Sequence, residues 1–363
     1  MNGMMKMVMA GVVIFALMSS VAYVEAKDSA QTYIKTDKSP KDIVIGMIPI
    51  TLEAGYHRAE AKNAIAYAKE KYGVTVIVTD GEHVNQKAVV GVENFLSKSV
   101  DGILLHAGDG NILDACIRKA HARKVPILTF YNEPYVKIAP HIQVQESKTS
   151  YQMGAEAVRK WKEFHPGKPI RVGIIEYLNI EHVQKMRSRP FIKGVMAADP
   201  GAEIVALEDG EGSTERAMAI MRNMIRSHPE INIVYGTNAN HAMGALAALE
   251  TLGRGKAVNG IPQTEIVIGT DANVEELIKL YDPKSSFKIT QGQKAVTNSV
   301  AKIDTMMKML NGEMPINQWI EVETFNEFIS YWDEKTGKAE WGQKWLKEQF
   351  LSDTDLAKEV GLK

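Results

Sequence analysis

Short apolar runs alternate with longer amphipathic stretches along most of the chain. Buried strands are indicated by the runs DIVIGMIPI, VTVIVTD, VDGILLHAG and VPILTFYN, and the stretches between them carry apolar residues at helical spacing, as in EAGYHRAEAKNAIAYAKEKYG. Strands that alternate with helices in this way are typical of a parallel sheet with helices on both faces. The pattern predicts one α/β domain by residue 138.

The same cycle restarts after the run HIQVQES. Further strands are indicated in PIRVGIIEY, AEIVALED and INIVYGT, each followed by a helical stretch. The last cycles, from TEIVIGTDANVEELIKLYD to QWIEVETF, are too few for a third domain. We therefore predict two doubly wound α/β domains, which the last cycles complete, so that the chain crosses between them more than once.

Length and charge agree with this division and exclude some partners. The chain has 363 residues and a formal net charge of -1, and such a length suits two domains. Because it has no run of lysine or arginine, we expect no nucleic-acid partner. The one cysteine, Cys116, cannot form an internal disulfide and has the spacing of a core residue in a helix.

The N-terminal segment has the features of an export signal. Lys6 precedes an apolar run from Met7 to Val24, and small residues lead to Ala26. We predict a signal peptide over residues 1–26, cleaved after Ala26, and a polar linker over residues 27–41. The alternative is an uncleaved membrane anchor, since the run approaches the roughly 20 residues that a spanning helix needs.

Polar and aromatic residues follow most of the predicted strands, where ligands of open parallel sheets bind. Their planar amide, carboxylate and guanidinium groups can make paired hydrogen bonds to hydroxyls, while tyrosine offers an apolar face. They suit a small, polar or polyhydroxylated ligand. The candidates are Tyr56, His57, His106, Asp109, Tyr131, Asn132, Tyr177, Asn179, Arg187, Arg189, Asn238, Asn240, Asp271 and Gln291.

Some of these residues also have a structural interpretation. Asn238 and Asn240 stand where a helix N-cap is expected, and Asp271 stands shortly before the helical stretch NVEELIKLY. Arg187 and Arg189 have the alternative of being solvated surface charges, since most arginines are exposed.

Signatures of catalysis and of metal or cofactor binding are missing from the sequence. The glycine-containing runs GDGNIL and GEGSTE match neither the dinucleotide fingerprint nor the phosphate loop, and no Gly-x-Ser-x-Gly elbow occurs. The nine histidines show no paired spacing of the His-Glu-x-x-His kind. We therefore expect no enzyme activity, no metal and no cofactor.

Four segments together resemble the type I periplasmic sugar-binding proteins, the ribose and galactose binders of ABC transporters. They are VYGTNANHAMGALAALETLG, EIVIGTDANVEELIK, FKITQGQ and VPILTFYNEP, and the resemblance runs from Asp42 to Phe325. It implies two Rossmann-like domains joined by a three-segment hinge that close over a ligand in the periplasm, without catalysis. On this basis we expect an N-terminal lobe of residues 42–140 plus 263–292, a C-terminal lobe of residues 141–262 plus 293–325, and a tail of residues 326–363.

The resemblance also assigns site residues. Asn238 and Asp271 match the family's amide and carboxylate, Gln291 matches the glutamine of its Thr-Ile-x-Gln strand, and Arg189 matches its arginine. Tyr56 and His57 lie where these proteins often place ring-stacking aromatics, whereas Tyr131-Asn132 replaces the usual Asp-Arg pair. The ligand-binding set that we predict is Tyr56, His57, Asp109, Tyr131, Asn132, Arg189, Asn238, Asp271 and Gln291.

Two functions are compatible with this resemblance. The first is capture of a sugar or sugar-like solute and its delivery to an inner-membrane ABC permease. The second is a receptor for a sugar or an autoinducer-2-like signal that reports to a membrane sensor kinase. A transcription repressor with this core would need a DNA-binding helix pair where the export signal stands. We expect a monomer in either role.

Overall fold

The computed structural model describes residues 30–53 and 55–361. The signal peptide predicted over residues 1–26 lies outside the described residues, as does the start of the linker predicted over residues 27–41. Within the described ranges, no helix combines the length and the apolar character needed to cross a bilayer.

Strands and helices alternate through the chain, as the hydrophobic pattern predicts. The strands are β1 (Val44–Ile48), β2 (Thr75–Val78), β3 (Gly102–Leu105), β4 (Ile127–Phe130), β5 (His141–Gln145), β6 (Arg171–Glu176), β7 (Glu203–Asp209), β8 (Ile233–Gly236), β9 (Ala257–Val258), β10 (Ile261–Pro262), β11 (Ile266–Ile268), β12 (Phe287–Gly292), β13 (Glu321–Phe325) and β14 (Glu327–Ser330). The α-helices are α1 (Gly55–Tyr67), α2 (Asn85–Ser97), α3 (Gly110–Ala122), α4 (Ser147–Phe164), α5 (Glu181–Val183), α6 (Arg189–Ala198), α7 (Thr214–Ser227), α8 (Ala239–Thr251), α9 (Val274–Tyr281), α10 (Ala295–Leu310), α11 (Ala339–Phe350) and α12 (Leu356–Glu359). Shorter turns are the 3-10 helix Pro40–Asp42 and the π-helices Ala68–Tyr72 and Gln184–Ser188.

These strands form two main sheets. The first sheet has the order β13-β5-β4-β3-β1-β2 and is parallel throughout. The second has the order β14-β12-β11-β8-β6-β7 and is parallel except for β14, which pairs antiparallel with β12. We call each sheet with its packed helices a lobe. The first and second lobes belong to one compact unit of the chain.

The lobe boundaries differ from the expected ones. Residues 263–292 were assigned to the first lobe, but β11 pairs with β8 and β12 with β11, so this segment extends the second sheet. Residues 293–325 were assigned to the second lobe, but β13 pairs with β5 in the first sheet. Strand β5 itself pairs with β4, although residue 141 was taken as the start of the second lobe. Strands that follow one another in sequence usually lie side by side in a sheet. Here β5 joins the sheet of β4, and β11 and β12 join the sheet of β8, before the chain crosses to the other lobe.

The chain crosses between the lobes three times: after β5, after β12 and after β13. The first crossing leads into α4, which packs on α6 in the second lobe, and the second leads into α10, which packs on α1 in the first lobe. Hinge motions of lobes take place in a few linking residues, so a hinge between these lobes would lie in the three crossings.

Apolar side chains fill both faces of each sheet, which explains the uninterrupted apolar strand sequences. Small residues permit close packing of α8. A Cβ at Gly236 would lie 2.3 Å from the backbone nitrogen of Ala242, and one at Gly244 would lie 2.3 Å from the carbonyl oxygen of Thr214. The Ala- and Gly-rich sequence of α8 thus allows it to lie directly against β8 and α7.

Candidate ligand cleft

A cleft of about 920 Å³ lies between the lobes, at the carboxyl ends of the strands. Loops after β1, β3 and β4 line one side, and loops after β6, β8 and β11 line the other. This edge is where ligands of open parallel sheets bind. The lining residues are Ile50, Glu53, Gly55, Tyr56, His57, Arg58, His83, His106, Gly108, Tyr131, Asn132, Glu146, Tyr177, Ile180, His182, Val183, Arg187, Asn238, Asn240, Asp271, Asn273, Val274, Glu275, Gln293, Phe350, Leu351 and Ser352.

Aromatic rings form much of the wall that the first lobe contributes. The ring centroid of His106 lies 4.8 Å from that of Tyr131 and 5.5 Å from that of His57. Tyr56 packs edge-on to His57 at 5.2 Å. Burial lowers the pKa of His106 well below its ordinary value, so its ring is neutral, and its buried Nδ1 lacks a hydrogen-bond partner within the described residues. This wall offers flat aromatic surface to the cleft.

Beneath this wall lies a buried ion pair. Glu60 on α1 is bonded to the ammonium of Lys302 on α10, and both side chains are almost fully buried. The hydroxyl of Tyr131 donates to Glu60 at 3.1 Å, and the amide of Asn298 donates to the hydroxyl of Tyr56 at 2.7 Å. Burial alone would raise the pKa of Glu60, but the positive charge of Lys302, together with His57 whose Nδ1 lies 3.8 Å from Oε2, lowers it to about 2. The tyrosine hydroxyls are therefore engaged in the protein, and their rings face the cleft wall.

Arg187 is the central cation of the wall from the second lobe. Its guanidinium pairs with Glu146, with 3.1 Å between Nη2 and Oε1, and donates to the carbonyl of Thr237 at 2.7 Å. Nη1 also lies 4.0 Å from a carboxylate oxygen of Asp271. Burial opposes the charge of both partners, but their mutual attraction holds the pKa of Arg187 above its ordinary value and that of Glu146 below. Both groups stay charged at the cleft.

Asn238 lies between β8 and α8, and it has both a structural role and a place in the cleft wall. Its side-chain oxygen accepts from the backbone N–H of His241 at 2.8 Å, so the N-cap alternative is confirmed. Its amide nitrogen donates to the hydroxyl of Tyr177 at 2.9 Å on the cleft wall. Capping fixes the rotamer, so this amide is held in one orientation.

Asp271 has a different structural partner from the expected one. The N-cap of α9 is Asn273, not Asp271. One carboxylate oxygen of Asp271 instead accepts from the backbone N–H of Ala239, at the start of α8. Asp271 and Ala272 both have positive φ angles, 131° and 50°. Such conformations cost energy in residues with a side chain and are typical of functional sites.

Glu276 lies behind Asp271 with its side chain fully buried. Its Oε2 accepts from the backbone N–H of Ala272 at 2.6 Å and from the hydroxyl of Thr290 at 3.1 Å. Burial and then the negative charge of Asp271 raise the pKa of Glu276 to about 8. Near neutral pH this carboxyl group is therefore largely protonated.

Replacement of Glu276 by glutamine is expected to stabilise the protein selectively at alkaline pH. The folded pKa lies above the ordinary 4.5, so the carboxyl contributes stability that is fully present below pH 4.5 and lost as the pH rises through 8. Glutamine has the shape of the protonated acid and does not titrate. Thermal unfolding at about pH 5 and about pH 9 measures the effect. The same difference in Tm at both pH values would contradict it.

Six of the nine predicted ligand-binding residues line the cleft, where they come from both lobes. They are Tyr56, His57, Tyr131, Asn132, Asn238 and Asp271. Asn132 donates its amide to the carbonyl of Ala107 at 2.9 Å, which leaves its side-chain oxygen as the group for a ligand.

Asp109 and Gln291 lie off the cleft wall, contrary to expectation. Asp109 is the N-cap of α3, and its carboxylate accepts from the backbone N–H of Asn111 at 2.7 Å. Gln291 is fully buried under α4, where its amide donates to the hydroxyl of Ser150 at 2.9 Å. Gln293, two residues beyond, lines the cleft instead. The search at strand ends found both loops and named His106, which lines the cleft after β3, but the final set took Asp109 in its place, and Gln293 after β12 was missed.

Arg189 also differs from the prediction. Its side chain is 54% exposed and pairs with Glu181 at 3.5 Å, whereas the side chain of Arg187 is only 13% exposed. Successive residues of a helix are about 100° apart, so residues two apart project to nearly opposite sides. When Arg187 faces the cleft, Arg189 faces solvent, and the surface-charge alternative applies to it.

Some residues that line the cleft were not among the predicted candidates. Glu146 and Gln293 directly follow β5 and β12, so the search at strand ends could have found them. The candidates Arg187, His106, Tyr177 and Asn240 do line the cleft, whereas Asn179 does not. Residues 350–352 lie at the end of α11, far along the chain, and no strand-end signal points to them.

Comparison with known proteins gives a family model and several relatives. A model described as a periplasmic binding protein domain matches residues 45–314. The ribose import binding protein of Bacillus subtilis is 23% identical over 251 residues, 69% of this chain and 77% of that protein. The D-ribose/D-allose-binding protein of Pseudomonas aeruginosa is 25% identical over 283 residues, 77% of this chain and 85% of that protein.

Solved structures share the architecture. An ABC transporter solute-binding protein from Bacillus halodurans with bound myo-inositol has a TM-score of 0.63 at 21% identity, covering 81% of this chain and 96% of its own. A periplasmic solute-binding protein from Actinobacillus succinogenes with bound D-allose has a TM-score of 0.65 at 22% identity, covering 83% and 99%. The predicted fold class, two parallel-sheet α/β domains, is thereby confirmed.

Proposed function

The chain belongs to the periplasmic binding protein family, and on that premise we propose that it captures a sugar or sugar-like solute in the interlobe cleft and delivers it to an inner-membrane ABC permease. The resemblance to type I sugar-binding proteins is confirmed, and the chain is a binding protein of transport systems, not an enzyme. We further propose export to the periplasm, with cleavage after Ala26 and a monomeric mature protein.

One observation carries the proposal: planar polar groups from one lobe face aromatic rings from the other across the same cleft. Arg187, Asp271 and Asn238 can each form directed hydrogen bonds to hydroxyl groups. The rings of Tyr56 and His106 match the C–H faces of a sugar ring. A ligand that touches both walls stabilises the closed form, because those contacts exist together only when the lobes meet.

Ligand screening of the exported protein tests this proposal. We expect protein purified from the periplasm, with its intact mass reporting the cleavage site, to be stabilised by a member of a panel that includes D-ribose, D-allose, myo-inositol, D-galactose and autoinducer-2. A hundredfold excess over Kd corresponds to about 2.7 kcal/mol. A protein without a co-purified solute whose Tm responds to no member would contradict the proposal.

Asp271→Asn is expected to weaken binding of the best panel ligand by about 1 to 3 kcal/mol. Asparagine retains an oxygen that can accept from Ala239, but it replaces a carboxylate oxygen at the cleft by an amide donor. Titration calorimetry measures the change. Asp109→Asn is the matched control, since Asn caps a helix as well as Asp and residue 109 is off the cleft wall. Equal losses in the two variants would argue against a site at Asp271.

A further inference from the structure

Helix α11 is attached to both lobes beside the cleft. Trp345 is buried in the core of the second lobe, and its indole N–H donates to the carbonyl of Ala272 at 3.1 Å, one residue from Asp271. At the end of the helix, the side-chain oxygen of Gln349 accepts from the backbone N–H of Val296, where α10 of the first lobe begins. The helix thus connects the turn that holds Asp271 with the first lobe.

Phe350, the last residue of α11, reaches the aromatic wall. Its ring packs edge-on to Tyr56 at 6.5 Å between centroids and contacts the apolar cores of both lobes. The start of α1 also lies against this ring, since a Cβ at Gly55 would be in ordinary contact with it at 3.5 Å. Phe350, Leu351 and Ser352 all line the cleft, so its boundary includes a segment outside both sheets.

Leu351 has an unusual conformation for its residue type. Its φ of 52° and ψ of 35° are left-handed, and it ends α11 at a position where glycine is the usual residue. A left-handed conformation is unfavourable for a side chain that has a Cβ. Leu351 is 39% exposed and lines the cleft. An aliphatic residue therefore stands at the cleft in a position where local backbone energetics favour glycine.

We propose that residues 350–352 form a third wall of the ligand cleft, and that Phe350 and Leu351 select ligands with an apolar edge. This inference rests on the proposed function. Hydrogen-bonding groups come from Arg187, Asp271 and Asn238, whereas the third wall presents the aromatic ring of Phe350 and the aliphatic side chain of Leu351. The hydroxyl of Ser352, the third residue of this wall, is engaged with the hydroxyl of Thr354 at 2.8 Å. A ligand hydroxyl placed against these two side chains would lose its hydrogen bonds to water without gaining new ones. The matching solute is a polyhydroxylated ring that is deoxygenated or O-methylated on one side.

Matched sugar pairs that differ by one hydroxyl test this selection. The probes are D-ribose with 5-deoxy-D-ribose, and D-galactose with D-fucose, its 6-deoxy form. In the wild type, the deoxy member of at least one pair is expected to bind about tenfold more tightly. In Phe350→Ala and in Leu351→Gly the two members of the pair are expected to bind with about equal affinity. Lys344→Ala, on the exposed side of α11, is the control and should retain it.

The two variants separate ligand selection from a purely structural role. Phe350→Ala removes a side chain that packs on both cores and is expected to lower the Tm of the ligand-free protein. Leu351→Gly relieves the left-handed backbone, so its ligand-free Tm should equal or exceed that of the wild type. Loss of preference in Leu351→Gly with an undiminished Tm supports the third wall. If both folded variants keep the Kd values and the Kd ratios of the wild type, the third wall is overturned. It is also overturned if the wild type binds the deoxy and the hydroxylated member of each pair equally well. Failure of the wild type to bind any panel ligand would instead refute the proposed function itself.

Discussion

Replacement of Arg187 by alanine is expected to abolish ligand binding and to lower the free energy of unfolding by about 3 to 5 kcal/mol. The guanidinium is the partner of Glu146, which is only 4% exposed, and it also donates to the carbonyl of Thr237 at 2.7 Å. Without it, the carboxylate of Glu146 is left buried without a counter-charge. It then either destabilises the folded state as a buried charge or takes up a proton. The cleft at the same time loses its central hydrogen-bond donor.

Arg189→Ala provides the matched control. The two arginines are two residues apart, but the side chain of Arg189 is 54% exposed and its ion pair with Glu181 is at the surface. Surface ion pairs of this kind contribute roughly 0 to 1 kcal/mol. Urea unfolding and titration calorimetry on both variants measure the contrast. If Arg189→Ala loses binding while Arg187→Ala retains it, the assignment made from the resemblance is right and the cleft geometry described above is not the binding site.

A double variant distinguishes the charge from the binding role. Arg187→Ala combined with Glu146→Gln removes the stranded carboxylate, so stability should largely return, whereas the donor needed by a ligand is still missing. Recovery of ligand binding along with stability would mean that Arg187 only supports the fold.

The sequence predicts the architecture and much of the cleft because both depend on local patterns. Buried parallel strands are nearly continuous apolar runs, and the residues just after them are readable without knowledge of the tertiary structure. Asn238, Asp271 and Tyr131 were found in this way, and each lies at the cleft. The rule succeeds because parallel strands bring their carboxyl ends to one edge.

Helical phase and sheet membership were harder to predict. The pattern places an arginine-containing helix beside the cleft but does not determine whether Arg187 or Arg189 faces it. Residues 263–292 show the same strand and helix signals as the segments of either lobe, so their sequence does not say which sheet they join. The pairing of β11 with β8 depends on tertiary contacts, which the local hydrophobic pattern does not show.

Contacts between distant segments are invisible to a pattern of this kind. Glu60 appears as an ordinary polar position in the helix GYHRAEAKNAIAY, yet it meets Lys302 from a helix 242 residues later. Phe350 reaches Tyr56 across a similar separation. A buried charge inside an amphipathic helix can be recognised only when its partner is known.

Replacement of Lys302 by methionine is expected to destabilise the protein at neutral pH by about 3 to 5 kcal/mol. The ammonium is the buried partner of Glu60 and also lies over the ring of Phe130, 3.5 Å from its centroid. Methionine fills a similar volume but leaves the carboxylate without a counter-charge. Because Glu60 also accepts from the hydroxyl of Tyr131, the aromatic wall should loosen and ligand binding should weaken as well.

The loss of stability in Lys302→Met is expected to become smaller as the pH falls. The folded pKa of Glu60 is about 2 against an ordinary 4.5, so the pair contributes stability that is present above pH 4.5 and lost as the pH falls toward 2. In Lys302→Met this contribution is missing at every pH. Urea unfolding at about pH 7 and about pH 3 should therefore show a smaller difference between variant and wild type at the lower pH.

Two further variants show whether burial of the charge is the cause. Lys71→Met removes the exposed partner of Asp304, an ion pair that also connects the α1 region to α10, and should cost at most about 1 kcal/mol. Glu60→Gln combined with Lys302→Met keeps an acceptor for the tyrosine hydroxyls without a stranded charge, and should recover most of the lost stability. If the double variant is as unstable as Lys302→Met alone, the cost comes from packing around the lysine stem. The ion pair would then contribute little to holding the aromatic wall of the cleft.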